Sequence, residues 1–493
     1  MIVLAVLALA LLVGLYLLVV GIVVFYVQLC ALALLTPVRS ALEWEDYAQL
    51  AAFGAAIVVM LRGMVSASGS RAVLPGSVTV SPEQAPGLWS VVREVADRFG
   101  TATPVEIRLT AEPNAAVNEE ARMLGLLPGR RRLYVGVPLL LGLTTDEVRA
   151  VLCHEFGHYV RGHTRLGSIT YRGHTALVGA RRELADSVRG NDFLRWSAGF
   201  LVWGLLSAYG RLYDLISLAV RRRQEIDADL AAARIAGPAV LADALRAADA
   251  TAAAWADFRT RFVEPMERLR VIPNEVFSPF RAILDNSGYR AVIARRREHP
   301  PVDVGRRDSH PALRQRLALL QRLTEEPRPV EGAPAELLSD PTSLFVRVTP
   351  PNSRPGKPVP WQAWLELLAE HDAAAAAMAL PVDPVTCEAV FALLAEGPHP
   401  AARFDAVYAV VGQALVTAGV AAWTVPWTSS RALVFADGSP DVITDLVRDA
   451  IDRPDAVDRL RSALLTAGAD LALAVAQREK PKGLLDIAYQ DGQ

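Results

Sequence analysis

Cysteine is almost missing from this chain. Cys30, Cys153 and Cys387 are the whole complement in 493 residues, too few and too widely spaced for a disulfide framework. The small disulfide-stapled secreted class is thereby excluded, and the thiols lean towards a reducing compartment. Lysine is equally rare: Lys357, Lys480 and Lys482 stand against a total of 51 basic residues, the remainder arginine. The formal net charge of −2 offers no bulk attraction to a polyanion and no acidic tail, so nucleic acid is not an expected partner. Charged residues are 21% of the chain, whereas 52% are hydrophobic and the mean hydropathy is +0.25. That balance is too apolar for an ordinary water-soluble chain and predicts membrane segments. No repeat of solenoid period is present.

The long hydrophobic runs are at the start. Between Met1 and Ser40 the only charge is Arg39, more than enough length for a helix of about 20 apolar residues to cross a bilayer. A basic leading region and a cleavage site are both missing, so an uncleaved anchor is expected rather than a signal peptide. A second uncharged run, Tyr47 to Leu61, is flanked by Trp44 and Arg62 and completes an expected helical hairpin. Arg62 and Arg71 after the hairpin place the catalytic part on the cytoplasmic side of the cell membrane. Trp196 to Gly210 reads as a re-entrant, interfacial or core helix, and Ala406 to Ser430 as a core helix.

The remaining pattern implies an α+β, mostly α, chain. Ser81-Pro82-Glu83 opens a helix with Leu88, Val91, Val92, Val95 and Phe99 on one side. Val105 to Leu109 and Leu133 to Val137 read as strands. Thr144 and Glu147 form a capping box for a helix reaching about Arg161. Nine prolines between Pro327 and Pro360 mark a boundary. The expected organisation is a membrane anchor at 1–66, a catalytic domain at 67–326, a Pro-rich linker at 327–360 and an Ala-rich, mainly helical domain at 361–493. Within the last, Trp361 to Leu380, Cys387 to Leu394 and Asp441 to Ala476 are helical in pattern and Ala432 to Phe435 reads as a strand.

The capped helix carries His154-Glu155-Phe156-Gly157-His158. Histidines four apart share one helical face and can hold one zinc ion, with Glu155 as general base towards an attacking water. Cys153 points about 100° from His154 on a helix and reads as a small buried residue, not a ligand. A hydrolytic zinc site needs a third protein ligand. The sixth position after His158, where some zinc peptidases place a third histidine, is Thr164. An acid on another helix is therefore expected, and Glu225 is the best candidate, with Asp229 on the same face to accept the spare N–H of a ligand histidine.

With these residues in order, the chain resembles the HtpX and CAAX-prenyl-protease family of membrane zinc metallopeptidases, within the gluzincins. The resemblance runs over about Ser81 to Leu320. It rests on Glu112-Pro113-Asn114-Ala115, on Leu143 to His158, on Arg223 to Asp229, and on Ser309-His310-Pro311 with Arg316. It implies one Zn²⁺ per chain held by His154, His158 and Glu225, with Glu155 as general base and acid. It also implies Asp229 supporting a ligand and His310 stabilising the oxyanion, with Arg316 behind it. Asn114 and Ala115 would lie on an edge strand that pairs with an extended substrate peptide. His299-Pro300-Pro301 also resembles the family's His-Pro block; His310 is preferred because Arg316 follows six residues later. The expected function is a membrane-anchored zinc metalloendopeptidase acting on protein or peptide substrates in membrane protein quality control or processing. The alternative is a silent membrane scaffold that keeps the fold. Substrate identity and oligomeric state are left open.

Overall fold

The structure is a computed structural model of the whole chain. It describes residues 2–35, 43–68, 73–119, 130–158, 177–182, 185, 198–267, 270–301, 311–323, 336–350, 356–397, 403–427 and 431–475. The chain divides into two compact units, Met1–Ala252 with Arg295–Pro351, and Ala253–Ala294 with Asn352–Gln493. Described residues are mostly helical, with three small sheets.

The first unit begins with helices α1 (Ile2–Leu35) and α2 (Trp44–Ser68), which pack together, Tyr26 meeting Phe53 edge-to-face at 5.5 Å. Among the described residues one helix is long and apolar enough to cross a membrane: α1, through Val13–Leu34. The second run carries Glu45, Asp46 and Arg62 on the same helix. Strand β1 (Val78–Val80) comes next, then α3 (Pro86–Arg98), β2 (Glu106–Thr110), β3 (Ala115–Glu119) and β4 (Arg131–Gly136). They form one sheet in the order β1-β2-β4-β3, parallel only between β2 and β4. Strand β2 alternates as its sequence demands, with Ile107 and Leu109 inside. Leu88, Val91, Val92 and Val95 give α3 its buried face, as their spacing predicts. The helix starts later than expected, at Pro86. Ser81 instead closes a turn, accepting from the Gln84 N–H.

A short helix α4 (Val137–Gly142) leads into α5 (Thr145–Gly157). The capping box is formed: the Thr144 hydroxyl accepts from the Glu147 N–H at 3.3 Å, and the Glu147 carboxylate accepts from the Thr144 N–H at 2.8 Å. Arg297 locks it further, donating to Glu147 at 3.1 Å and to the Gly142 carbonyl at 3.2 Å. Helix α5 is described to Gly157, with His158 still helical in backbone at the C-cap; the rest of the expected extent to Arg161 lies outside the described residues. Gly162 lies outside the described residues.

Helix α6 (Ala198–Ala236) corrects the reading of two separate elements. Trp203 to Gly210 and Arg222 to Asp229 are parts of one 39-residue helix. At 1.5 Å per residue it is about 58 Å long. Its first half packs on α1 and α2, with Leu206 and Tyr213 buried among Leu15, Val19, Ile57 and Met60. Its second half lies along α5.

The proline-rich interval differs from a plain linker. Leu338, Leu344, Phe345 and Val348 are buried in the first unit, and the Leu88 N–H donates to the Leu337 carbonyl. In the second unit Lys357–Val359 pairs in parallel with Val271–Pro273. Prolines there sit where no strand-to-strand donor is needed on both sides.

Residues 253–294 belong to the second unit, where Trp255 stacks on Phe277 and meets Phe280 edge-on. The expected core helix of Ala406 to Ser430 is shorter, Phe404–Thr417. The chain then reverses at Gly419, with φ +74°, and enters the strand Ala421–Thr424. That strand pairs with Ala432–Phe435, which formed as predicted. The expected helix Asp441 to Ala476 is two, Ile443–Asp452 and Val457–Thr466, broken at Pro454.

Thr144→Ala should cost about 1 kcal/mol. It should lower the thermal unfolding midpoint of the purified protein, while Thr144→Ser keeps most of it; an unchanged midpoint for the alanine variant would show that the cap does not anchor α5.

Candidate metal centre

The centre is made by two helices that touch. Gly157 of α5 faces α6 so closely that an added Cβ would stand 2.8 Å from the Ala228 carbonyl oxygen. The glycine inside the His-Glu-Phe-Gly-His run is thus a packing requirement. With no side chain between them, α5 can set His154 and His158 against Glu225.

One donor atom from each of His154, His158 and Glu225 lies within 4.8 Å of the other two. His154 Nε2 is 3.4 Å from one Glu225 oxygen and His158 Nε2 is 3.6 Å from the other. A tetrahedral ion about 2.1 Å from each donor separates its ligands by about 3.4 Å. The spacing therefore suits a zinc-sized cation, and two imidazoles with one carboxylate are a donor set zinc accepts. The imidazoles stand nearly perpendicular, at 81° with centroids 4.9 Å apart.

His154 is held from behind. Its Nδ1 is 2.9 Å from Asp229 Oδ1, and Asp229 is fully buried. Arg316 grips the same carboxylate with two bonds, Nη2 to Oδ1 at 2.6 Å and Nε to Oδ2 at 2.7 Å. A guanidinium has only donors and an ionised carboxylate only acceptors. Nδ1 of His154 therefore carries the hydrogen and donates to Asp229, although Arg316 Nη2 also lies 3.3 Å away. Nε2 is thus the nitrogen turned towards Glu225, where a bound cation would take the place of a proton.

Burial pushes against charge on His154, but the hydrogen bonds to Asp229 and Glu225 outweigh it and raise the ring to about 9. Burial likewise opposes ionisation of Asp229, and Arg316 with His154 overcomes it, holding the carboxyl below its ordinary value. Glu155, half-buried between the two histidines, adds to the negative field around Arg316.

The other expected site residues are more widely spread. Arg316 joins the centre, but through Asp229. His310 lies outside the described residues. His299 is exposed, beside Glu298. Among the described residues strand β3 pairs with β4 and stands at one edge of the sheet; Ala115 is its first residue, while Asn114 precedes it and its carbonyl accepts from the Gly136 N–H at 2.8 Å. Cys153 is buried and inert, its thiol pushed up to about 12 by burial. Two contributors were not anticipated: Gly157 as the helix contact, and Arg149, which ties α5 to α3 through Glu94 at 3.4 Å and holds Asp146 at 2.7 Å.

Comparison with known proteins agrees with this geometry. Residues 82–324 match the model of Peptidase family M48. This part of the chain is similar to the members of that family. A "Protease HtpX homolog" of Acaryochloris marina (strain MBIC 11017) is 32% identical over 176 residues, 34% of this chain and 56% of that protein. Another, of Pyrococcus abyssi (strain GE5 / Orsay), is 34% identical over 181 residues, 34% of this chain and 57% of that protein. "Protease HtpX" of Idiomarina loihiensis (strain ATCC BAA-735 / DSM 15497 / L2-TR) is 29% identical over 166 residues, 32% of this chain and 55% of that protein. The chain thus spans little more than half the length of these relatives. No solved structure matches it. The M48 match stops before the whole of the segment that begins at Asn352.

Gly157→Leu should separate α5 from α6 and lower metal affinity more than tenfold, read by titration against a competing chelator; an unaltered affinity would show that the close approach does not set the ligands. Asp229→Asn should weaken zinc binding by about 10- to 100-fold. Equal affinity in that variant would mean that the carboxylate does not hold the His154 ring.

Proposed function

We propose that this chain is a membrane-anchored zinc metalloendopeptidase. The observation that carries the reading is the meeting of His154, His158 and Glu225 donor atoms around one cation-sized space, with Glu155 on the same helix turn. His154, His158 and Glu225 would hold the ion. When bound, zinc would supply Lewis acidity, lowering the pKa of a water to about 7 and polarising a carbonyl.

The chain's own residues do the rest. Glu155 takes the proton of the attacking water and returns it to the leaving amine. Asp229 and Arg316 keep His154 in the tautomer that presents Nε2. His310 would donate to the developing oxyanion, where one such donor is worth about 3 kcal/mol. β3, entered at Asn114 and Ala115, lies at an edge of the sheet and would offer backbone groups to an extended peptide. A peptide laid there is held as an added strand, which favours unfolded or extended protein segments over folded ones.

Helices α1 and α2 would form the anchoring hairpin in the cell membrane, with the catalytic unit on the cytoplasmic side. The HtpX relatives are named as proteases, and an apolar anchor joined to the centre through α6 suits processing or quality control of membrane proteins.

The decisive variant is Glu155→Gln. It should still bind one zinc per chain, while cleavage of an unfolded protein such as casein falls by about 10²- to 10⁴-fold. Wild-type protein stripped by a chelator should lose cleavage and regain it with zinc. Turnover by the glutamine variant at the parental rate would refute the mechanism; absence of cleavage by metal-loaded wild type would favour a scaffold.

A further inference from the structure

A cavity of about 730 Å³ lies between α1, α2 and α6, well away from the metal centre. Its walls include Leu17, Gly21 and Phe25 of α1, Leu50 and Phe53 of α2, and Leu205 of α6. Its polar members are Asp46 and Gln49, both in the opening turns of α2.

Glycines of α1 and α2 mark where these helices are filled and where they are open. A glycine inside a helix costs about 0.5–1 kcal/mol relative to alanine. At Gly14 the space is taken by the Tyr209 hydroxyl, and at Gly54 by the Tyr26 ring. At Gly21 no atom stands within 4 Å of the position a Cβ would occupy. The first two glycines have partners inside the protein; the third faces an open groove.

The direction of the groove is given by the helix contacts. The Tyr209 hydroxyl donates to the Leu11 carbonyl, while Leu205 meets the groove beside Leu17 and Leu18. Rising numbers in α6 therefore run towards the start of α1. Leu205 to Glu225 is 20 residues (225 − 205), about 30 Å of helix. The groove opens from Leu205 the other way, towards Asp46, so its occupant does not reach the metal centre.

We propose that this groove binds one membrane phospholipid, its acyl chain lying along α1 past Gly21 and its ammonium headgroup at Asp46 and Gln49. The size suits a single acyl chain: the cavity has the volume of a small-ligand site. The chemistry decides the headgroup. Glu43, Glu45 and Asp46 are all exposed at the groove's polar end. This acidic rim repels an anionic headgroup and attracts an ammonium. Exposed Val20 and Val24 make the surrounding face of α1 apolar, as contact with hydrocarbon requires. The proposal rests on the proposed membrane anchorage and is independent of the peptidase chemistry.

The test uses the full chain in nanodiscs containing a trace of phospholipid with a diazirine in its acyl chain, as phosphatidylethanolamine or as phosphatidylglycerol. After illumination, adducts are mapped by mass spectrometry. Adducts at Gly21, Phe25 and Phe53 should exceed those at Val20 and Val24 by about tenfold, and the ethanolamine probe should give more of them. Gly21→Phe should remove the groove adducts and leave those at Val20 and Val24; Asp46→Asn should abolish the preference between probes.

Equal labelling around α1 in the parent protein overturns the groove while leaving the anchor intact. No labelling at Val20 and Val24 either would sink the anchor itself. Cross-links between copies through Phe25 or Phe53 would make a second chain the occupant and refute the lipid. The parental map decides the matter even if Gly21→Phe does not fold.

Discussion

The centre depends on one contact between two helix backbones. Ala228 of α6 presents its carbonyl to Gly157 of α5, and no larger residue fits between. All three proposed ligands sit within one turn of that contact: His154 and His158 on one side, Glu225 on the other. A side chain reaches only a few ångströms, so their donor atoms meet only when the two axes approach closely. Several contacts of the first unit hold that approach. The capping box and Arg297 fix the start of α5, and Arg149 and Glu94 tie its middle to α3.

A second layer of the same constraint is electrostatic. Asp229 is fully buried with a guanidinium on one side and an imidazole on the other. Taking such charges out of water is costly, and a hydrophobic replacement of a buried pair is often no less stable. Stability alone does not explain the arrangement. What the pair adds is direction. Arg316 keeps Asp229 ionised, Asp229 draws the hydrogen to Nδ1 of His154, and Nε2 is left to face Glu225. The order of these steps is fixed by which group can only donate and which can only accept. The proposed ligand is thus set by a residue 162 positions away.

The local parts of this design were legible. Two histidines four apart, a capping box at Thr144 and an acidic pair at Glu225 and Asp229 each stem from helical periodicity, and each is found on the element expected. The alternation of β2 and the apolar face of α3 were equally plain. Legibility failed where the deciding partner is remote. Nothing near Arg316 says that Asp229 will receive it, and nothing near Arg297 points to Glu147. Gly157 reads as a filler of the motif until Ala228 is placed opposite it. Helix ends failed for a related reason. The continuity of α6 through Gly210 and the burial of the proline-rich stretch under α3 are decided by packing, which overrides local preference.

Helix α6 joins the apolar layer to the metal centre. One face of its first half is packed into the apolar layer of α1 and α2, and its second half carries Glu225 and Asp229. A continuous helix is stiff over such a length, since folding it back would break the backbone hydrogen bonds of about one turn. The position of the centre relative to the apolar layer is therefore built into one element, with no hinge between. A strand edge entered at Ala115, on the sheet that packs beside α5, completes the same rigid frame. With the apolar layer seated in a bilayer, the height of the centre above that bilayer would be a property of α6 alone. A segment emerging from the membrane would then meet the centre at a fixed number of residues from the surface, selected by reach as much as by side chain.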